Sequence, residues 1–268
     1  MLKDITLGQY YPSESIVHKL DPRTKILLTF LFIIAVFLIK SLYGFVVMAI
    51  LTIILTKVAK IPLIVMVKGL KPLLLIMIFT SVINLFMTDG EIIWQFYFLK
   101  LTKEGIYLSA FMLIRVVFLV TGSSFLTYTT SPIAMTSGIE SLMKPLKKLK
   151  FPAHEIAMMM SIALRFIPTL IEETDKIMSA QKARGANLSE GSLIKRAKAL
   201  VPILIPLFIS AFRRADELAV AMESRCYNGG ENRTKLKELR FEKKDLFAVL
   251  IFILGCGAVI SVNLILVR

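Results

Sequence analysis

Five stretches of this chain, residues 26–39, 42–56, 72–87, 106–126 and 246–267, are apolar for so long that only a bilayer accommodates them together. A helix rising 1.5 Å per residue needs about 20 apolar residues to cross the hydrocarbon core. The longer stretches meet that length alone, and the shorter ones reach it by borrowing interfacial residues. Only Lys40 and Ser41 separate the first two. Over all 268 residues, 56% hydrophobic side chains exclude an ordinary soluble domain. The expected fold is an all-α membrane protein with about five transmembrane helices. The first 25 residues include Pro12 and Pro22 but no apolar run before a small-residue cleavage site. The run from Ile26 is therefore expected to be an anchor and not a cleaved leader.

Charge placement orients the spans. With the N-terminus inside, segments 1–25, 57–71 and 130–244 hold 28 of the 33 Lys and Arg, and the outer segments keep only Lys40, Lys100, Lys103 and Arg268. That imbalance is a positive-inside signal. It also accounts for the net charge of +14, since basic residues beside anionic inner-leaflet lipid need no nucleic acid as partner. The expected organisation is a cytoplasmic N-terminal segment over 1–25, transmembrane helices over 26–129, a cytoplasmic region over 130–244 and a final span over 245–268.

The region 130–244 carries helical periodicity. One amphipathic pattern runs from Pro152 through Ile156, Ala163, Phe166 and Leu170 to Gly185, and a second from Ser192 through Leu204, Phe208, Phe212 and Leu218 to Arg225. A shorter piece, 133–149, ends in lysines as an interface-lying helix does. Pro168, Pro202 and Pro206 remove backbone donors and are expected to bend or segment the two long helices.

The two long helices end in the same phrase. Asp175, Ile177, Ala180 and Arg184 are spaced as Asp216, Leu218, Ala221 and Arg225 are, at nine, seven and four residues before the arginine. The seven and four offsets fall on nearly one helical face with the arginine. Small residues there admit close approach of a partner, and the guanidinium fork suits carboxylates. An arginine in a last turn before Gly is also ordinary helix-cap chemistry, so the repetition on two helices, more than either tripeptide, marks function.

Other features are weaker. The Met158–Met160 run reads as adaptable packing, and His18 and His154 as isolated surface or interfacial residues. Cys226 and Cys256 are too far apart in the plan to pair. The glycosylation-like Asn232-Arg233-Thr234 falls in a cytoplasmic segment. Arg115, in the middle of a span, must face the bundle or a polar cavity; a packed structural role is expected, a substrate site being the alternative. The sequence has no phosphate loop, no metal-ligand spacing and no recognisable nucleophile, so no enzyme chemistry is expected.

The stretches Ala163-Leu-Arg-Phe-Ile-Pro-Thr-Leu170, Gln181-Lys-Ala-Arg-Gly-Ala186, Arg213-Arg-Ala-Asp-Glu-Leu-Ala219 and Ala221-Met-Glu-Ser-Arg225 resemble the EcfT family. These are the transmembrane coupling subunits of energy-coupling factor (ECF) transporters. Gln9-Tyr-Tyr-Pro12 and His18-Lys-Leu-Asp-Pro-Arg-Thr-Lys25 share the likeness. The resemblance implies a non-catalytic subunit of an ABC-type importer for vitamins or related micronutrients. Its long helices would be coupling helices, with Ala183-Arg184-Gly185 and Ser224-Arg225-Cys226 as tips seated in two ABC-type ATPase subunits. Asp175, Ala180, Asp216 and Ala221 would support those tips. A small membrane-embedded S component would bind the substrate, and ATP would be bound by the ATPases, with no cofactor or metal in this chain. One departure is Cys226 where the family's second motif has Gly, which makes a left-handed cap costlier. A stand-alone secondary carrier or channel is the alternative, but only Arg115, Asn84 and Asn263 offer polarity within the spans.

Overall fold

The computed structural model of the chain describes residues 10–96, 99–149, 151–186, 192–229 and 239–266. The element order is α1 (Pro22–Leu38), α2 (Leu42–Ala59), α3 (Leu63–Leu70), a 3-10 turn, α4 (Leu74–Met87), β1 (Ile92–Phe96), β2 (Leu99–Thr102), α5 (Lys103–Thr129), α6 (Pro132–Met143), a second 3-10 segment, α7 (Ala153–Ala183), α8 (Leu193–Glu223) and α9 (Lys243–Leu266). The protein is an all-α membrane protein apart from the small β1–β2 hairpin. The chain forms two compact units, one over Ile139–Glu238 and one over Gly8–Gly138 and Leu239–Arg268, with the boundary inside α6.

Helix starts follow local chemistry. Asp21 caps α1 by accepting from the Arg23 amide, with Pro22 at the first position; Ser41 and Thr102 cap α2 and α5 through the amides of Gly44 and Gly105. One boundary differs from the sequence expectation. The segment before Pro72 is helical from Leu63, and α3, the 3-10 turn and α4 make one apolar stretch of 25 residues. Pro72 lacks an amide hydrogen and tightens one turn there without ending the helix. The prolines of α7 and α8 likewise leave each helix unsegmented over 31 residues. Among the described residues, five helical stretches can cross a bilayer by length and composition: Leu42–Ala59, Leu63–Met87, Lys103–Thr129, Ala153–Ala183 and Lys243–Asn263. At 17 residues α1 sits at the lower edge of the spanning range of about 17–25. The helix α7, expected in the cytoplasmic region, meets the length and composition for a span.

In the larger unit α1, α2, α5 and α9 enclose a core of Phe32, Val36, Ile39, Phe45, Met48, Phe111, Phe252 and Val259. The Phe45 ring stands edge-on to Phe111 with centroids 5.1 Å apart and stacks on Phe118 at 5.7 Å. Gly122 lets α5 close on α1, because a Cβ there would meet the Phe32 ring at 2.5 Å. Close approach through a small residue is the usual way helices associate where lipid removes the hydrophobic drive between them. Outward-facing residues such as Leu75, Phe79 and Leu254 are exposed and apolar, as lipid-facing positions require.

Polar bonds tie both ends of this bundle. At one end the Lys25 ammonium donates to the carbonyls of His18 and Thr129, both at 2.9 Å. Asp245, at the head of α9, accepts from the amides of Asp21 at 2.8 Å and Glu242 at 2.9 Å. Arg23 bridges Asp21 to the Leu239 carbonyl and covers the Phe241 ring, and the Tyr11 amide donates to the Tyr128 carbonyl. At the other end the α1–α2 turn is held from two sides. Arg115 donates to the Ile39 carbonyl at 2.8 Å and lies over Phe111; Asn263 donates to the Leu38 carbonyl at 2.8 Å and accepts from the Lys40 amide. Arg115 is thus a packed arginine that supplies a donor to the buried Ile39 carbonyl at the end of α1.

Neither histidine is isolated. His18 shares its Nδ1 with the hydroxyls of Ser13 and Ser15, and its Nε2 meets the Tyr11 carbonyl at 3.0 Å. His154 meets Glu140 across the α6–α7 connection at 3.0 Å. The partners lie in turns and on a neighbouring helix, which one-dimensional periodicity does not reveal. Cys226 and Cys256 are both free, and Asn232 lies outside the described residues. Burial lowers the His18 pKa below 6.5, aided by the Lys25 charge and opposed by the Tyr11 carbonyl. The folded state therefore favours neutral His18, so its contribution is complete above the unfolded pKa and is lost as pH falls below it. Thermal stability of the solubilised protein is expected to fall between about pH 7 and pH 5.5, where histidine titrates, and His18→Gln is expected to flatten that part of the curve. Equal pH profiles for the two proteins would contradict this assignment.

Candidate functional site

The two arginine-bearing tips end their helices with the same hydrogen-bond pattern. After α7 the Gly185 amide donates to the Lys182 carbonyl at 2.9 Å and the Ala186 amide to the Gln181 carbonyl at 3.0 Å. After α8 the Cys226 amide donates to Glu223 at 2.9 Å and the Tyr227 amide to Met222 at 3.0 Å. Both are Schellman-type closures, in which one left-handed residue turns the chain back on its last carbonyls. That residue is Gly185 at φ 85° and Cys226 at φ 56°. Cys226 therefore adopts the left-handed conformation that the Gly of the family's motif accepts without a steric cost. The repeated phrase reaches down to backbone geometry, and Arg184 and Arg225 occupy equivalent positions one residue before the reversal.

Both arginines are exposed, and neither guanidinium makes a hydrogen bond or ion pair with the described residues. Ala183, Gly185, Ser224 and Cys226 beside them are exposed too, with the Ser224 hydroxyl turned back onto the Ala221 carbonyl. Ala180, Ala221 and Asp216 lie open on their helices, and Asp175 is half-buried. The aspartates do not reach the arginines: nine residues along a helix is about 13 Å.

The helices α7 and α8 pack against each other. Gln181 donates its side-chain amide to the Pro202 carbonyl at 3.3 Å, and Arg214 lies 3.9 Å from Glu173. As the α7 number falls from 181 to 173, the α8 number rises from 202 to 214, so the two run antiparallel. Arg184 thus sits near the start of α8, while Arg225 lies 23 residues beyond Pro202 in the opposite direction. At 1.5 Å per residue, the tips stand on the order of 40 Å apart at opposite ends of the pair. Sequence spacing alone did not reveal this separation, which comes from tertiary pairing. Between the tips, α8 exposes Val201, Leu204, Ile205, Phe208, Ile209 and Phe212, an apolar surface with basic residues at either end. Among the described residues no group of three His, Cys, Asp or Glu side chains could hold a metal ion.

The sequence matches the family described as CbiQ, cobalt transport protein, over residues 13–236. A relative from Ruminiclostridium cellulolyticum, an "Energy-coupling factor transporter transmembrane protein EcfT", is 55% identical over 92% of this chain and 92% of its own length. Proteins of the same description from Clostridium kluyveri and Bacillus subtilis are 52% identical over 97% and 48% identical over 91% of this chain, covering 98% and 93% of the relatives.

The left-handed Cys226 generates a prediction. A non-glycine residue in this conformation costs about 1–2 kcal/mol, and glycine returns roughly 0.4–1 kcal/mol of that through its looser unfolded chain. Cys226→Gly is expected to slow amide exchange at the α8 tip by a net stabilisation of about 0.5–1 kcal/mol, and Gly185→Ala to speed it at the α7 tip. Exchange read by mass spectrometry on peptides containing residues 222–227 and 181–186 checks both, and faster exchange in Cys226→Gly would contradict the cap geometry.

Proposed function

The chain belongs to the CbiQ family and, within it, to the EcfT transmembrane proteins of energy-coupling factor transporters, and from that membership we propose that it couples two ATPases to a substrate-binding membrane partner. In this reading Arg184 and Arg225 each enter a groove of a different ABC-type ATPase subunit. A small S component carries the vitamin or related micronutrient, and closure of the ATPases on ATP moves the two tips together with the helices that bear them. The chain has no phosphate loop, so nucleotide is bound by the partners.

The observation that carries this reading is the matched pair of tips. Equivalent exposed guanidinium groups on identical closures, far apart on one antiparallel pair, suit two similar sockets in two neighbouring subunits. A single ligand site would draw its arginines together. The exposed apolar face of α8 supplies a seat for a membrane-embedded partner, where aromatic anchors such as Phe208 and Phe212 carry most of the contact.

Topology supports the same reading. Tyr128 and Thr129, before the inserted region, and Leu239 and Asp245, after it, bond to one end of the bundle through Tyr11, Arg23, Asp21 and Lys25. If α7 alone crossed the bilayer, the chain would return on the wrong side. A second crossing would fall to α8, whose Lys195, Lys198, Arg213, Arg214, Asp216 and Glu217 disfavour it. In this reading both helices belong to a cytoplasmic region, with the N-terminus on that side. A stand-alone carrier is disfavoured because the few polar side chains within the spans each bond to a backbone carbonyl: Arg115 and Asn263 on the α1–α2 turn, and Asn84 on the Thr80 carbonyl.

Replacing Arg184 or Arg225 by Ala is expected to leave an acidic partner group unpaired, at a cost of about 2–5 kcal/mol per contact. Each variant should lose most vitamin uptake and retain less ATPase on co-purification, and the double variant should not assemble. Lys is expected to restore activity only in part, because a point charge does not reproduce a bidentate fork. Lys195→Ala, an exposed cation at the head of α8, should behave as the parent protein. Normal uptake and assembly in both tip variants would reduce the repeated phrase to helix capping.

A further inference from the structure

The β1–β2 hairpin joins the ends of two spans and exposes three apolar residues in a row. Ile92, Ile93 and Trp94 are 51%, 58% and 55% exposed. A regular strand would alternate its faces, but the register shifts between Ile92, opposite Thr102, and Trp94, opposite Leu101, leaving Ile93 as an extra, bulged residue. Over Ile92–Trp94 the strand consequently lacks the one wet face and one dry face of a strand packed on a soluble core.

Several bonds fix this ribbon to the span ends. The Thr102 hydroxyl donates to the Thr88 carbonyl at 2.8 Å, the Lys103 amide to the Glu91 carbonyl at 3.1 Å, and the Glu91 amide to the Glu104 carboxylate at 2.8 Å. Gly105 lets α5 pass close to the α4 end, where a Cβ would meet the Leu85 carbonyl at 2.8 Å. The exposed apolar band of α4, with Phe79, Val82 and Met87 at its outer part, ends at Met87, and only Thr88-Asp89-Gly90-Glu91 separates it from the hairpin. The hairpin thus sits at the edge of a surface that faces lipid.

We propose that the β1–β2 hairpin is an interfacial anchor lying in the lipid headgroup region at the α4–α5 end of the bundle, with Trp94 at the boundary between headgroups and acyl chains. Three features select lipid as its occupant: the adjacency to the apolar outer part of α4, the short tether to two span ends, and the residue types. Tryptophan, with its large amphipathic ring, is the side chain most at home at that boundary. The exposed Lys100 on the second strand places an ammonium group where phosphates lie, while Lys103 at its end faces the Glu91 carboxylate at 3.8 Å. The anchor would set the depth of α4 and α5 while the rest of the chain moves.

Trp94 is the only tryptophan in the chain, so intrinsic fluorescence reports on the hairpin alone. The purified full chain, reconstituted in phosphatidylcholine bilayers, is compared in plain lipid and in lipids brominated at a shallow or a deep acyl position, with Trp94→Phe as the blank. The expected result is loss of most of the emission with shallow bromines, a smaller loss with deep ones, and weak quenching by aqueous acrylamide. Emission insensitive to bromine but strongly quenched by acrylamide would place the ribbon in water and overturn the proposal. Emission insensitive to both would place Trp94 against protein and overturn it equally.

Discussion

A backbone carbonyl that ends a helix has no partner within that helix, and the larger unit is organised around supplying one. The tight α1–α2 turn leaves carbonyls at Leu38 and Ile39, which take donors from Asn263 of α9 and Arg115 of α5. At the opposite end, Lys25 closes the last turn of α5 through the Thr129 carbonyl, and Asp245 receives the chain entering α1. These bonds tie α1, α5 and α9 at both ends, and α2 is carried by the turn it shares with α1. Removing one partner would strand a polar group in an apolar medium, which costs more than the bond itself contributes.

The other unit shows chain reversal of a different kind. At its tips the carbonyls close locally through Gly185 and Cys226, so the caps need no tertiary partner. The arginines just before them are thereby left unspent. Capping and docking are therefore not competing accounts of one motif: the cap holds the backbone, and the guanidinium stays available. Carrying Cys226 at φ 56° means that this chain holds the second tip in the glycine-like geometry against a steric cost.

Much of this was legible in the sequence because lipid imposes long apolar runs and because the phrase at the tips repeats at a fixed spacing. The misread parts have physical causes. Four lysines over 57–71 look like a loop, yet their long stems allow α3 to be helical with the charges at its margins. The hairpin falls within an outer connection in the sequence reading, although Asp89-Gly90-Glu91 followed by Ile-Ile-Trp carries turn and strand signals. The partner of His154 lies 14 residues away on another helix, and the separation of the tips depends on which residues of α7 meet α8. Neither can be derived from periodicity along one helix.

The central claim is that two equivalent tips of one antiparallel pair serve two different subunits. It is tested most directly by placing a photo-crosslinking residue at position 184 or 225 in the assembled transporter, with the two ATPases carrying different tags. The account predicts that each position captures an ATPase and that the two positions capture different ones. Capture of the same subunit from both positions, or of no ATPase from either, would contradict it.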